Sequence, residues 1–175
     1  MTAPVSTNIN TKYKLNAWFD YKDRSSNKKI IFEDTLIPHR ERIINIINNE
    51  VSYFKGDYSK IFLGGFSQGA AMSLVIGLYI NKLIGGIICC SGFYLPLIMP
   101  LEIHKKLPIF ISHGDKDKVT TLLYAKQTFS ILFNGDYNLT YKEYNINHEV
   151  NSEIYNDIKK FMELNKNRLE INPKF

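Results

Sequence analysis

Lys60-Ile61-Phe62-Leu63-Gly64-Gly65-Phe66-Ser67-Gln68-Gly69-Ala70 is the stretch on which the fold turns. It reads as a short apolar strand, a tight turn and the start of a helix. Within it, Gly65-Phe66-Ser67-Gln68-Gly69 satisfies G-x-S-x-G, the pattern of a nucleophile elbow. Such an elbow strains its serine and lifts the hydroxyl above the sheet edge; a Cβ at either glycine would crowd the strand or the helix. The pattern alone is weak, since roughly one chain in twenty of this length would carry it by chance. Context strengthens it. Ile61-Phe62-Leu63 reads as a buried strand, and Ala70-Ala71-Met72-Ser73-Leu74-Val75-Ile76 continues as a helix over about 68–81, its small alanines allowing close approach to a sheet.

Outward from the elbow, strands and helices alternate. Upstream, residues 1–15 are polar and read as extended, and Tyr21 to Lys29 reads as a polar loop. A helix is predicted from Asp34 to Phe54, with Ile37, Ile43, Ile44, Ile47, Val51 and Phe54 forming an apolar face for a sheet. Asp34 or Thr35 can cap it, Pro38 sits in its early part where a missing N–H is tolerated, and Gly56 ends it. Downstream come strands at 84–91, 107–112 and 139–144, with helices over 120–133 and 151–164 and a frayed polar tail. This order predicts one domain over residues 1–175, of α/β class, with a doubly wound parallel sheet.

Composition bounds the rest. Of the 175 residues, 45 % are apolar and 22 % charged, which is ordinary for a globular protein with a substantial core. The net charge of +5 comes from scattered lysines, with no basic run interleaved with aromatics, so nucleic acid is not an expected partner. Cys89 and Cys90 are neighbours inside an apolar run and read as reduced core thiols, which suits a cytoplasmic location. No apolar stretch reaches the ~18 residues of a membrane span, and no signal peptide precedes residue 20, so stable membrane insertion is not expected.

In a parallel sheet of this kind, ligands bind where loops leave the C-terminal strand ends. Ser67, the pair Asp115 and Asp117, and His148 each follow a predicted strand and share that rim. A serine nucleophile needs a base within hydrogen-bond reach, and the base needs a carboxylate to fix its tautomer. The chain order Ser, Asp, His is one of the known orders for such a triad. Spacing leaves Asp115 and Asp117 both open as the acid. His39 and His104 read as structural, and His113, beside Gly114, as a residue that shapes a turn.

These residues, with Ser91-Gly92-Phe93-Tyr94-Leu95-Pro96, His113-Gly114-Asp115-Lys116-Asp117-Lys118-Val119 and an opening of Ala3-Pro4-Val5 through Asn8 and Trp18-Phe19-Asp20, resemble the phospholipase/carboxylesterase family, acyl-protein thioesterases in particular. The resemblance runs through nearly the whole chain. It implies an α/β-hydrolase-type three-layer sandwich with a mostly parallel sheet, shortened at its N-terminal side. It implies Asp117 as the triad acid and the N–H of Gln68 as half of the oxyanion hole. Family members also carry a preceding strand that ends in an H-G-x-G-D-type loop, the source of the second oxyanion donor. Nothing in residues 1–60 matches that loop. The elbow strand would then show an open edge, to be covered by residues 1–15, by a homodimer or other partner, or by the rest of a longer chain.

The activity implied is hydrolysis of thioesters or esters in S-acylated proteins, lysophospholipids or small esters, by a Ser67-Asp117-His148 triad with no metal or cofactor. Trp18, Phe93, Tyr94 and Leu95 are candidate acyl-binding residues. The competing expectation is a weakly active or non-catalytic binding protein that keeps the triad without the oxyanion loop.

Overall fold

The computed structural model of the chain describes residues 1–7, 14–24, 28–97 and 99–166. Its centre is a four-stranded parallel sheet in the order β5 (Phe62–Phe66), β6 (Gly86–Cys90), β7 (Ile109–Gly114), β8 (Leu139–Tyr144). β6 and β7 are buried along their whole length, so continuous apolar runs, not alternating ones, mark β6 and the first half of β7, Ile109-Phe110-Ile111, in the sequence. The alternation is expressed across the sheet. Ile87, Cys89, Ile109 and Ile111 face α2 (Gln68–Tyr79) and α3 (Leu122–Phe133), while Ile88, Cys90 and Phe110 face α4 (Ser152–Asn165) through Ile154 and Phe161. Helices therefore cover both faces in three layers. Cys89 and Cys90 point to opposite faces of one strand, which is why these free, buried thiols do not pair. Burial pushes both thiols above their ordinary range.

The first long helix, α1 (Glu33–Tyr53), departs from expectation in four ways. It lays its apolar side mainly on α2: Leu36, Ile47 and Val51 cluster with Ala71, Met72, Val75 and Ile76 of that helix. Ile37 and Phe54, predicted on the buried face, are 42 % and 44 % exposed. The cap is Phe32, whose side chain has no polar group to bond the first N–H groups, and the Thr35 hydroxyl is used otherwise. It donates to the Phe32 carbonyl at 2.7 Å and accepts the Asp20 N–H at 2.8 Å, tying the segment before the helix to its first turn. With the helix starting at Glu33, Pro38 lies beyond the first turn, so its missing N–H does cost an intrahelical bond.

Two small antiparallel ribbons precede α1. β1 (Val5–Thr7) pairs with β2 (Lys14–Asn16), and β3 (Tyr21–Arg24) with β4 (Lys28–Ile31). The second occupies the predicted polar loop; residues 25–27 of that loop lie outside the described residues, as do 8–13 of the predicted extended segment and 167–175 of the predicted tail. Among the described residues, β5 pairs with β6 alone and forms one edge of the main sheet, β1 and β2 pairing with each other instead. Gly64 and Phe66 of β5 are correspondingly exposed. A groove of about 350 Å³ runs beside β5, lined by Trp18, Gly65, Phe66, Gly69 and Met72 among others.

The layering makes a direct energetic statement. Leu74, wholly buried between α2 and the sheet, should cost about 3 kcal/mol on replacement by alanine. Leu123→Ala on the outer side of α3, where the side chain is 66 % exposed, should stay within about 0.5 kcal/mol of wild type. Urea unfolding of the two variants checks the assignment of faces.

Candidate active site

The site is assembled from three loops at the C-terminal ends of β5, β7 and β8. Ser67 links β5 to α2 with φ 55° and ψ −119°, a conformation that costs a non-glycine residue about 1–3 kcal/mol. Its N–H still continues the sheet, donating to the Cys90 carbonyl at 2.9 Å. The two motif glycines do different things. A Cβ on Gly65 would sit 2.2 Å from the carbonyl carbon of Gly69, so that position admits only glycine. A Cβ on Gly69 would meet Trp18 Nε1 at 3.4 Å, an ordinary contact, so the expected crowding there is not found. Helix α2 starts at Gln68, which places the Gln68 N–H in a first turn that has no carbonyl one turn back to bond.

Asp115 and Asp117 differ in burial and in partners. Asp115 is exposed, whereas Asp117 is buried and its carboxylate is met from several sides. Oδ1 accepts the backbone N–H groups of Val119 and Thr120, both at 2.8 Å. Oδ2 lies 2.7 Å from Nδ1 of His148. A carboxylate only accepts, so His148 Nδ1 carries the proton and Nε2 is left with a lone pair. The His148 ring packs on the Phe66 ring, centroids 4.7 Å apart, one residue before Ser67. The structure thus brings Asp117 to His148 and His148 to the elbow.

The loops are stitched by backbone as well. Asp115 N–H donates to the Tyr144 carbonyl at 2.9 Å and Lys116 N–H to that of Ile146 at 3.1 Å. This close approach depends on Gly114, where a Cβ would stand 2.4 Å from the carbonyl oxygens of Ile146 and Asn147. His113, one residue earlier, is fully buried, and burial lowers its pKa. The other histidines lie apart from this cluster. His104 is buried with both ring nitrogens bonded, Nδ1 accepting from Leu101 N–H at 2.9 Å and Nε2 lying 3.2 Å from the Ile80 carbonyl. His39 stands edge-on to Trp18 on α1.

Of the four predicted acyl-binding residues, only Trp18 lines the groove beside the elbow. Phe93 is buried between Phe19 and Tyr124, and Tyr94 and Leu95 are buried while touching a separate pocket of about 330 Å³ with Ile31 and Tyr124. An aromatic loop after a strand reads alike in sequence whether it packs in the core or faces a ligand. Sequence reasoning also missed the side chain of Gln68. Its Oε1 accepts the Trp18 N–H at 2.7 Å and its Nε2 donates to the Phe19 carbonyl at 2.8 Å, clamping the 18–19 segment onto the elbow. Among the described residues there is no cluster of three or more metal-ligating side chains, and no helix is long and apolar enough to cross a membrane.

Comparison with known proteins gives concordant results. The family model described as Phospholipase/Carboxylesterase matches residues 3–166. Acyl-protein thioesterase 1 of Gibberella zeae is 27 % identical over 171 residues, 91 % of this chain and 71 % of that protein. Acyl-protein thioesterase 1 homolog 1 of Dictyostelium discoideum is 34 % identical over 146 residues, 77 % of this chain and 63 % of that protein. The chain thus spans less than the full length of both relatives. Among solved structures, Arabidopsis thaliana SOBER1 superposes with a TM-score of 0.79 at 23 % identity, over 94 % of this chain and 81 % of its own. Zea mays acyl-protein thioesterase 2 gives 0.74 at 20 % identity, over 94 % and 79 %. These structural likenesses establish the three-layer α/β-hydrolase fold.

Gly114 is the tightest point between the aspartate and histidine loops. Gly114→Ala should destabilise the protein by about 2 kcal/mol, since both opposing atoms are backbone and cannot swing away. Thermal unfolding measures the loss, and an unchanged midpoint would refute the packing described.

Proposed function

The chain belongs to the phospholipase/carboxylesterase family, and from that membership we propose that it is a serine hydrolase cleaving thioester or ester bonds of S-acylated proteins, lysophospholipids or small esters. The observation that carries this reading is the 2.7 Å bond between His148 Nδ1 and Asp117 Oδ2, held against the strand that bears the strained Ser67. Ser67 is the nucleophile, His148 the base and Asp117 the orienting carboxylate.

The chemistry follows from those roles. Ser67 Oγ attacks the acyl carbonyl carbon as its proton passes to His148 Nε2. The carbonyl electrons move onto oxygen, and the Gln68 N–H is aimed at the charge that develops there. Collapse of the tetrahedral intermediate breaks the C–S or C–O bond, and the leaving thiol or alcohol takes the proton back from Nε2. A water then gives a proton to Nε2 as its oxygen attacks the acyl-serine carbonyl; the bond from that carbon to Ser67 Oγ breaks, Nε2 returns the proton to Oγ, and the carboxylic acid leaves. Asp117 stays ionised throughout and stabilises the imidazolium. Trp18 is the residue carried forward as a substrate contact, from its place in the groove beside the elbow. The free, buried cysteines fit a cytoplasmic location.

A fluorophosphonate should label Ser67 in the wild type and fail to label Ser67→Ala. Hydrolysis of a C8 thioester should be lost in Ser67→Ala and fall about 10⁴-fold in kcat for Asp117→Asn, which leaves the geometry but allows the wrong His148 tautomer. A folded wild-type protein that is neither labelled nor active would overturn the proposal. Size-exclusion chromatography of the same sample reports whether a second copy covers the outer edge of β5.

A further inference from the structure

His113 has no part in the steps above, yet it lies directly behind them. Its Nε2 is 2.7 Å from the Thr120 carbonyl oxygen and 3.4 Å from Asp117 Oδ2, the same oxygen that takes the His148 proton. Thr120 in turn gives its N–H to Asp117 Oδ1. We propose that His113 is a positioning residue, whose single Nε2–H fixes the Thr120 peptide and flanks Asp117 Oδ2 so that the carboxylate stays aligned on His148. This rests on the assignment of Asp117 and His148 as acid and base.

The geometry also determines the form of the ring. A carbonyl can only accept, so Nε2 holds the proton. The other nitrogen, Nδ1, is buried with no hydrogen-bond partner among the described residues. A proton there would add a charge with nothing to receive it, and burial disfavours the charged ring in the same direction. The surrounding charges are Asp117 and His148 on the two loops, and Glu143 on β8, opposite His113 in the sheet register and itself paired with Lys126 of α3 at 2.6 Å. A neutral donor suits this place. A second imidazolium would compete with His148 for the Asp117 charge, whereas a neutral N–H orients the carboxylate and leaves its charge to His148.

The test is proton NMR of the far-downfield imidazole N–H of His148, a signal that persists only while Asp117 holds that proton against exchange with water. It should be present in the wild type. His113→Gln, whose amide nitrogen lies as many bonds from Cα as Nε2 does, should keep it. His113→Asn and His113→Leu, which put no donor there, should speed its exchange about fivefold, the loss expected of one hydrogen bond. Should the leucine variant fail to fold, the asparagine and glutamine variants still decide. A wild type without the signal, folded asparagine or leucine variants that keep it, or a glutamine variant that loses it equally would each overturn the proposal. The measurement needs no turnover. A wild type that shows the signal but leaves Ser67 unlabelled refutes the catalytic assignment alone.

Discussion

A carboxylate taken out of water must be given donors, and Asp117 is where this chain meets that demand. Its side chain is wholly buried, and it is met by two backbone N–H groups, by His148 and, at longer range, by His113. An ionised group left unpaired at such a site would cost several kcal/mol. The turn over residues 117–120 must therefore close on its own aspartate, and the β8 loop must bring His148 to it. The two loops adjoin because β7 and β8 are parallel neighbours in register, Gly114 opposite Tyr144. The site is a product of strand order as much as of the residues in it.

Parts of this were readable in the chain because burial leaves a compositional trace. β6 is an unbroken apolar run, β7 opens with one at Ile109-Phe110-Ile111, and β8 alternates because one of its faces meets solvent. The strained turn at Ser67 was readable because Gly65 has no substitute there. Other parts leave no such trace. Nothing local separates Asp115 from Asp117; the direction of the turn buries one and exposes the other. The ribbon of β3 and β4 lacks an apolar period that would reveal it. Thr35 looks like a cap, but its hydroxyl is claimed by Asp20, fifteen residues away in sequence. In each case a tertiary partner decides what a local propensity leaves open.

The uneven burial of the main sheet bears on where stability resides. The inner strands β6 and β7 are closed over by helices on both faces, while β5, which carries the elbow, is half-open at the edge and borders the groove. Local opening is expected first where buried contacts are fewest. Ser67 follows one edge strand, β5, and His148 the other, β8, while Asp117 follows the inner strand β7. Strain at Ser67 is sustained by the packing of α2, whose residues 70–78 are all buried.

The Gln68 clamp separates where a segment lies from what it displays. Both of its bonds reach main-chain atoms, the Trp18 N–H and the Phe19 carbonyl. Exchanging the Trp18 side chain, which lines the groove while that of Phe19 is buried in the core, would leave both anchor points in place. The groove can then change its shape and chemistry on that side while the backbone of the 18–19 segment stays anchored to the elbow, so a change of lining there needs no rebuilding of the scaffold.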